Sequence, residues 1–459
     1  MMWRPSPIVV SSIALFGAST AMPLVTSAEA AETFTLTDLS VDDGRVFVRA
    51  AKLEFVGASI GRGEVETLVK ERKVGDLLEK IAGGSAERIA APELTVEVRP
   101  PAVAPETARS AYTLKGLAIG KLERGLAQTV EIDGLETRGG DREAATGKVR
   151  ASGVGLGAIV ATALGKPVVE DVRPIVAEGR VDGVRLTHKG TLTTIATVTA
   201  KDLKRRAEHA GRHVLPWVGQ LSFGGIEGRK AGATAATPVA PAWTVAEVSL
   251  AAEQPDKSSI PSRFSVQVRE VAIDTATLAR KDLAELGYQR FKVSAKLEGS
   301  YDAATKALSI ASLGASAEDF GSLTLSFEIG NVEPDALQKM GEGGAVPATA
   351  MVKRMALELR NTGLYDRLVA RSARKSGKSP DLARTEMAIQ SRLVATAMLG
   401  TEAAAPFGEA LMRFLAAPGT FTFTSLAKAP EGVPISDFSK RDEKGPVILG
   451  RFTTEAVAK

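Results

Sequence analysis

Residues 57–61 read Gly-Ala-Ser-Ile-Gly and fit the G-x-S-x-G pattern of a nucleophile elbow. A strand-like Lys-Leu-Glu-Phe-Val run precedes them and a helical pattern from Glu64 follows, the setting in which a sharp turn lifts a serine, here Ser59, above a sheet. All three histidines lie downstream, in the order a serine hydrolase needs. The match nevertheless falls before several sheet strands can form, and no His-Gly oxyanion motif occurs. His209 and His213 stand at the i, i+4 spacing that lets two imidazoles share a metal on a helix, but Gly211 weakens that helix and no third ligand is recognisable nearby. Solvated histidines near a helix end explain the pair without a metal, and His188 reads as the wet side of a strand. Gly153, Gly155 and Gly157 lack both the spacing and the acidic partner of a dinucleotide loop, and read as a glycine-rich turn or bulge. Glu318 and Asp319 fall in a turn with no second carboxylate pair opposite them, so general acid–base work has no frame. Two basic runs, 201–213 and 367–378, are either solvated helix faces or patches for peripheral contact with an anionic membrane surface. The expectation is a non-enzymatic protein with no catalytic residue, no cofactor and no metal ligand; a serine hydrolase using Ser59 ranks third among the functions.

The elements that would position any such site are strands. Phe291, Val293, Ala295 and Leu297 alternate with Lys292, Ser294, Lys296 and Glu298, the period of two of a half-buried strand. Asp302 opens a turn, since its carboxylate can accept from amides two residues on. Leu308 and Ile310 start a return strand, a second turn follows, and Leu323, Leu325, Phe327 and Ile329 alternate again. Three strands on short turns make an antiparallel meander with one apolar face. Similar alternation recurs upstream, in 33–41, 44–56, 93–98, 128–137, 179–200 and 262–274, and 143–157 resembles 302–316 in rhythm, which leaves a duplicated architecture open. One helix is expected from Glu64 to Ile81, stopped by Gly83-Gly84. A short one, capped by Asp274 or Thr275, is expected to end near Gly287. Ser379-Pro380-Asp381 starts another running to Leu399, and a last helix precedes Gly419. The fold class is therefore α+β: a long curved antiparallel sheet, in which two similar halves are open, with inserted helices including a C-terminal pair. An N-terminal β-rich half spans 31–235 and a C-terminal β-rich half 243–459, with a helical insertion about 363–417. Pro- and Ala-rich 228–242 is the better boundary between them.

The first 30 residues read as a secretory signal peptide: Arg4, an apolar stretch Ile8–Val25, then Ala28 and Ala30 at the positions a signal peptidase reads. An uncleaved inner-membrane anchor is the alternative. No later segment has eighteen consecutive apolar residues, so the mature chain is expected to be soluble or peripheral in the periplasm. Cysteine is absent, which excludes disulfides, thiol catalysis, zinc-thiolate sites and a Cys-linked lipid. A net charge of +4 with 5% aromatic residues argues against nucleic acid and removes the stacking platforms of single-strand and sugar binders.

Residues 283–310, followed by 318–332 with Gly287-Tyr288, the Tyr301-Asp-Ala-Ala-Thr turn and the strand start Phe320–Leu323, resemble the YdgA-like proteins, a β-rich, AsmA-like group of Gram-negative envelope proteins. The resemblance extends through 363–384 and 415–438 and covers roughly 270–440. It implies an envelope location and, by analogy with AsmA-like proteins, a link to lipid homeostasis; it carries no catalytic residues. The residues alone point the same way. An apolar sheet face left open would offer acyl chains a groove of Phe291, Val293, Leu297, Leu323, Leu325, Phe327 and Ile329. Partners are then lipid or envelope proteins. The alternative function is a structural or protein-binding scaffold whose apolar face is filled by its own helices.

Overall fold

The structure, a computed structural model, describes residues 31–99, 110–139, 142–163, 173–205, 217–230, 241–253, 260–274, 285–341, 346–399, 401–439, 448 and 450–459. The leader, His209, His213 and the helix expected between Thr275 and Gly287 lie wholly or largely outside these residues. The chain divides into two compact units, Met1–Pro241 and Ala242–Lys459, both built on antiparallel strands. No helix among the described residues is long and apolar enough to cross a membrane.

In the first unit β1 (Glu32–Asp42), β2 (Val46–Ala58), β3 (Ala86–Val98) and β4 (Ser110–Glu123) pair in chain order. β4 then pairs with β5 (Leu126–Ile132) along one half and with β6 (Gly134–Gly139) along the other. These two strands are successive stretches of one run, broken at Asp133. β7 (Arg142–Thr146) and β8 (Val149–Gly155) return beside them, and β9 (Arg173–His188), β10 (Thr191–Arg205) and β11 (Trp217–Lys230) complete the meander.

Simple alternation does not describe these strands. In β2 the buried side chains are Val48, Ala50, Leu53, Phe55 and Ala58; in β1 they are Phe34, Leu36, Leu39 and Val41. Inward positions are thus separated by two, then three, residues. Most of the resets coincide with a residue in the left-handed region, lying just before an inward residue: Asp38 (φ 53°), Gly57 (58°), Gly116 (63°), Lys121 (46°), Gly153 (59°), Gly183 (62°), Asp202 (49°) and Gly225 (62°). A positive φ swings the chain so that the next side chain, which should point out, points in. Both halves of each strand therefore bury the same face. The ladder stays in register across most of the kinks, though it shifts against β1 at Gly57: Gly183 lies between the pairs Val184↔Ile195 and Asp182↔Thr197, whose register is unchanged.

Rows of inward residues consequently run straight across the strands. Phe34, Phe55, Ile89, Ile119, Val130, Ala151, Gly179, Ala200 and Leu221 are successive cross-strand partners. Such directly opposed side chains are the packing unit of a sheet. Two helices cover the first part of this face, α1 (Arg62–Lys70) and α2 (Val74–Gly83), through Val65, Val74 and Leu77. They replace the single helix expected from Glu64 to Ile81. Arg72 adopts φ 56°, and the Lys73 amide donates to Leu68 O at 3.0 Å, closing the first helix before the second begins. The break lets Leu68 and Val69 on one side and Leu77 and Leu78 on the other face the same core.

A left-handed residue with a Cβ is strained by about 1–2 kcal/mol, and glycine relieves it. Lys121 is exposed. Lys121→Gly is therefore expected to raise the unfolding free energy by about 0.5–1 kcal/mol, read from the urea midpoint at unchanged slope. A loss of stability would mean that the kink at 121 is not left-handed.

The second unit is a plainer meander: β12 (Trp243–Glu253), β13 (Arg263–Asp274), β14 (Arg290–Asp302), β15 (Ala307–Ala317), β16 (Gly321–Gly330) and β17 (Met351–Asn361). β17 then pairs with β18 (Thr420–Ala427) and the short β19 (Val433–Pro434), and β18 with β20 (Phe452–Ala458). Between them come α4 (Pro334–Gly341), α5 (Leu364–Ser376), α6 (Pro380–Leu399), α7 (Thr401–Ala416) and α8 (Ile435–Ser439); α3 (Leu156–Ala163) belongs to the first unit. Asp302 holds its turn as its position suggested, accepting from Ala304 N at 2.9 Å and from the Thr305 hydroxyl at 2.7 Å. These bonds to the ionised form hold its carboxyl below the usual aspartate value.

Candidate functional site

Among the described residues, none of the chemistry-bearing groups singled out in the sequence gathers into a site. Ser59 follows β2 and precedes α1, as the elbow pattern requires, but its hydroxyl accepts the Ser85 amide at 2.9 Å while its own amide donates to Ser85 O at 2.8 Å. Ser85 Oγ in turn accepts from Arg124 N at 3.1 Å, so the serine braces the end of the helical insertion against β3 and β4. Gly153 is one of the strand kinks; a Cβ there would stand 2.7 Å from Ala177 Cβ. Glu318 pairs with Lys292 at 2.6 Å, and Asp319, with φ 59°, presents its carbonyl to the Tyr288 hydroxyl at 2.9 Å. Among the described residues no group of three or more His, Asp or Glu can hold a metal ion. A polar cleft between the Ser40–Gly44 turn and the end of α1 is lined by Asp42, Asp43, Glu71 and Arg72. Its carboxylates are engaged: Asp42 receives Arg99 at 2.8 Å and caps Gly44 N, and Asp43 receives the amides of Arg45 and Val46. The Gly44 amide and the Arg99 guanidinium hold the Asp42 carboxyl below its ordinary value.

The basic run 367–378 forms much of α5 and folds back on residues 285–288. The Arg367 guanidinium lies over the Tyr288 ring, 4.1 Å from its centroid, and Nη1 donates to Leu286 O at 3.2 Å. Arg371 and Lys375 pair with Glu285 at 2.5 and 3.4 Å, holding its carboxyl below the usual range. Burial pushes the Tyr288 hydroxyl up. This part of the cationic surface therefore serves as a clasp on the segment leading into β14.

What the second unit does carry is an apolar sheet face. Phe291, Val293 and Leu297 on β14 and Leu323, Leu325, Phe327 and Ile329 on β16 share it, through cross-strand partners on β15: Val293↔Ala317, Leu297↔Leu313↔Leu325 and Ile310↔Phe327. The row through Leu297 continues to Val266 and Leu250 on one side, and to Leu357, Phe423 and Ala456 on the other. The next row runs Val248, Val268, Ala295, Ala315, Leu323, Leu359, Phe421 and Ala458. The opposite face is laced with ion pairs, such as Lys296–Glu298 at 2.8 Å and Arg269–Glu247 at 2.7 Å.

This face is covered unevenly. Its β17–β20 end lies under Val369 of α5, Ala388 of α6 and Phe414 of α7, which pack with Phe421, Phe423, Leu357 and Leu359. A second part closes around Tyr301, Leu308, Ile310 and Ile329, with Leu337 of α4 and Val332. The Tyr301 hydroxyl donates to Val332 O there at 2.9 Å. Of the residues read as a groove, Ile329 is thus buried, Leu297 and Phe327 are half-buried against that cluster, and Phe291 stands edge-on to Phe320. Between these parts Leu313 and Leu323 are each 41% exposed, beside the exposed Ala295 and Ala315, and Leu250, in the same row as Leu313 but three strands away on β12, is 37% exposed. Sequence reasoning found Leu323 but missed Leu250 and Leu313. A bulge between Ile310 and Leu313 shifts the alternation of β15, which hid Leu313; only the register reveals it.

A family model described only as an uncharacterized protein matches residues 315–451, which include β16 to β18 and the helices between them. No curated protein matches the chain.

Proposed function

We propose that this chain is a non-enzymatic, exported envelope protein that handles lipid, and that the open part of the second unit's apolar face receives acyl chains in the periplasm. The observation that carries this reading is the exposure of Leu313 and Leu323, diagonal neighbours on β15 and β16, on a face whose flanks are covered, with Leu250 exposed in the same row three strands away. Each Å² of apolar surface taken from water contributes about 25 cal/mol, so a leucine-lined strip favours an alkyl chain over an extended polar ligand. The signal-like leader and the YdgA-like resemblance agree with this location and role. On the same reading the sheet is curved, its two halves are related, and α6 and α7 form a C-terminal pair walling one end of the face. The packed helices over β17–β20 favour the scaffold alternative for that end, where the face is already filled.

Native mass spectrometry of the protein purified from the envelope tests the proposal. Bound phospholipid or fatty acid is expected with the wild type, and at least a tenfold lower occupancy with Leu313→Asp and Leu323→Asp, both exposed enough to be replaced without unfolding the sheet. A wild type that carries no lipid, or variants that keep it, would overturn the reading.

A further inference from the structure

The helical layer of the second unit is a single excursion from the sheet. β17 and β18 pair directly, from Arg360↔Thr420 to Arg354↔Leu426, and α5, α6 and α7 lie between them in sequence, outside that ladder. The two ends of the excursion meet, where Asn361 N donates to Gly419 O at 2.9 Å. Each end carries a glycine in close quarters. Gly363 takes φ 148°, and a Cβ there would stand 2.7 Å from Asp319 O; a Cβ at Gly419 would meet Lys459 O. A layer joined to the sheet at one place, through residues with the widest backbone freedom, can turn about that place without breaking a strand pair.

The surface beneath the layer is the same one that is open elsewhere. The row Leu297, Leu313, Leu325 passes unbroken into Leu357 and Phe423, and the row Ala295, Ala315, Leu323 into Leu359 and Phe421. Phe407 of α7 stands edge-on to both Phe421 and Phe423, with centroids 5.3 and 5.4 Å away. Apolar contacts of this kind are non-directional, and an alkyl chain can replace them. Two hydroxyls have no hydrogen-bond partner within the protein: that of Tyr365, in the core of the layer, and that of Ser425, wholly buried two residues beyond Phe423 on the same strand face. A buried hydroxyl left unpaired penalises the packing that buries it. At its rim the layer is held by polar contacts, the pairs of Glu285 with Arg371 and Lys375 and the stacking of Arg367 on Tyr288.

We propose that α5, α6 and α7 form a lid on the acyl face, hinged at Gly363 and Gly419 and latched by the grip of α5 on residues 285–288. Closed, the lid ends the open strip at β16. Opened, it extends both rows across β17 and β18, so that a longer alkyl chain lies on one continuous surface. Contact of that chain with Leu357, Leu359, Phe421 and Phe423 exists only in the open state, which is the differential affinity that shifts the population. The lid takes its ligand from the acyl-binding reading, but its motion stands apart from that reading.

The chain has no cysteine, so spin labels can be placed at Ser316→Cys on β15 and Glu409→Cys on α7, both exposed positions. Double electron–electron resonance reads the distance between them with and without palmitate, whose binding is followed on the same samples by native mass spectrometry. One closed distance is expected without palmitate, and a second, longer one with it. Glu285→Gln with Arg367→Gln undoes the latch, each lost contact counting for a factor of a few, and is expected to raise the open fraction roughly tenfold even without palmitate. The circular dichroism spectrum is expected to stay that of the wild type. Distances that respond to neither palmitate nor the latch variant would overturn the lid, and would leave the acyl reading standing if palmitate is bound. A longer distance in the latch variant of a chain that binds no palmitate supports the lid and removes the acyl reading. A response to palmitate that the latch variant does not alter would overturn the latch, and a longer distance accompanied by loss of helical signal would overturn the lid as unfolding of the layer.

Discussion

Phe55→Ala is expected to cost about 3–5 kcal/mol of unfolding free energy, the largest effect of any single side chain in the first unit. Phe55 is wholly buried, and it sits in the row that crosses the strands from Phe34 to Leu221. Its ring stacks on that of Phe34, with centroids 4.7 Å apart and planes 18° from parallel. Truncation loses the transfer of the ring from water and leaves a cavity beside Phe34. The backbone around it is fixed by cross-strand pairs to Phe34 and Ile89, and Gly57 follows in the left-handed region, so collapse into the space is restricted. Denaturant unfolding, with hydrogen exchange read on β1 to β4, measures the loss. A loss below about 1 kcal/mol would show that the ring does not occupy the centre of this core.

Gly153→Val tests the kinks themselves and is expected to cost about 3 kcal/mol. Two effects add. At φ 59° a β-branched residue is strained. Its Cβ would also meet the Ala177 methyl at 2.7 Å, a contact that only movement of β9 can relieve. The two can be separated. Gly153→Ala retains most of the contact with less backbone strain, and adding Ala177→Gly should return about 1 kcal/mol by opening the space while leaving φ unchanged. If Gly153→Val is neutral, β8 alternates simply and Val154 cannot share the inward face with Ala151. The rows across the first unit would then be wrong.

Both sites lie in the unit whose strands the sequence concealed. The meander at 291–332 was legible because β14 and β16 alternate over most of their length: Phe291, Val293 and Leu297, and later Leu323, Leu325, Phe327 and Ile329, share a face as their spacing indicates. The turn at Asp302 was legible because a side-chain acceptor beside its own amides has few other uses. The start of α6 was legible in Ser379-Pro380-Asp381. The resets of the first unit were not. Asp38, Lys121 and Asp202 adopt left-handed backbone that an aspartate or lysine rarely signals, and the glycines among the kinks look like ordinary strand interruptions. The rhythm of two and three was nonetheless present in the sequence. Val48, Ala50, Leu53, Phe55 and Ala58 display it, as do Leu117, Ile119 and Leu122, and a search for that spacing rather than for alternation would have found it. The break in the helix expected from Glu64 to Ile81 was hidden for the same reason, since Arg72 supplies the left-handed turn that a glycine would have announced.

The candidate site was only half legible. An apolar face is a pattern within strands, whereas its openness depends on which helices return to cover it. Val369, Ala388 and Phe414 close the β17–β20 end, and α4 with Val332 closes the region of Ile329. Nothing in the spacing of Leu323 distinguishes it from Ile329, yet one is 41% exposed and the other 6%.

Covalent mapping with a photoreactive acyl chain would test lipid occupancy of that face most directly. The purified full chain is incubated with a diazirine-bearing fatty acid, irradiated, digested and sequenced by mass spectrometry. The expected result is adducts on peptides carrying Leu250, Leu313 and Leu323, abolished by Leu313→Asp. Adducts that spare all three leucines, whether scattered or confined to α6, would contradict it.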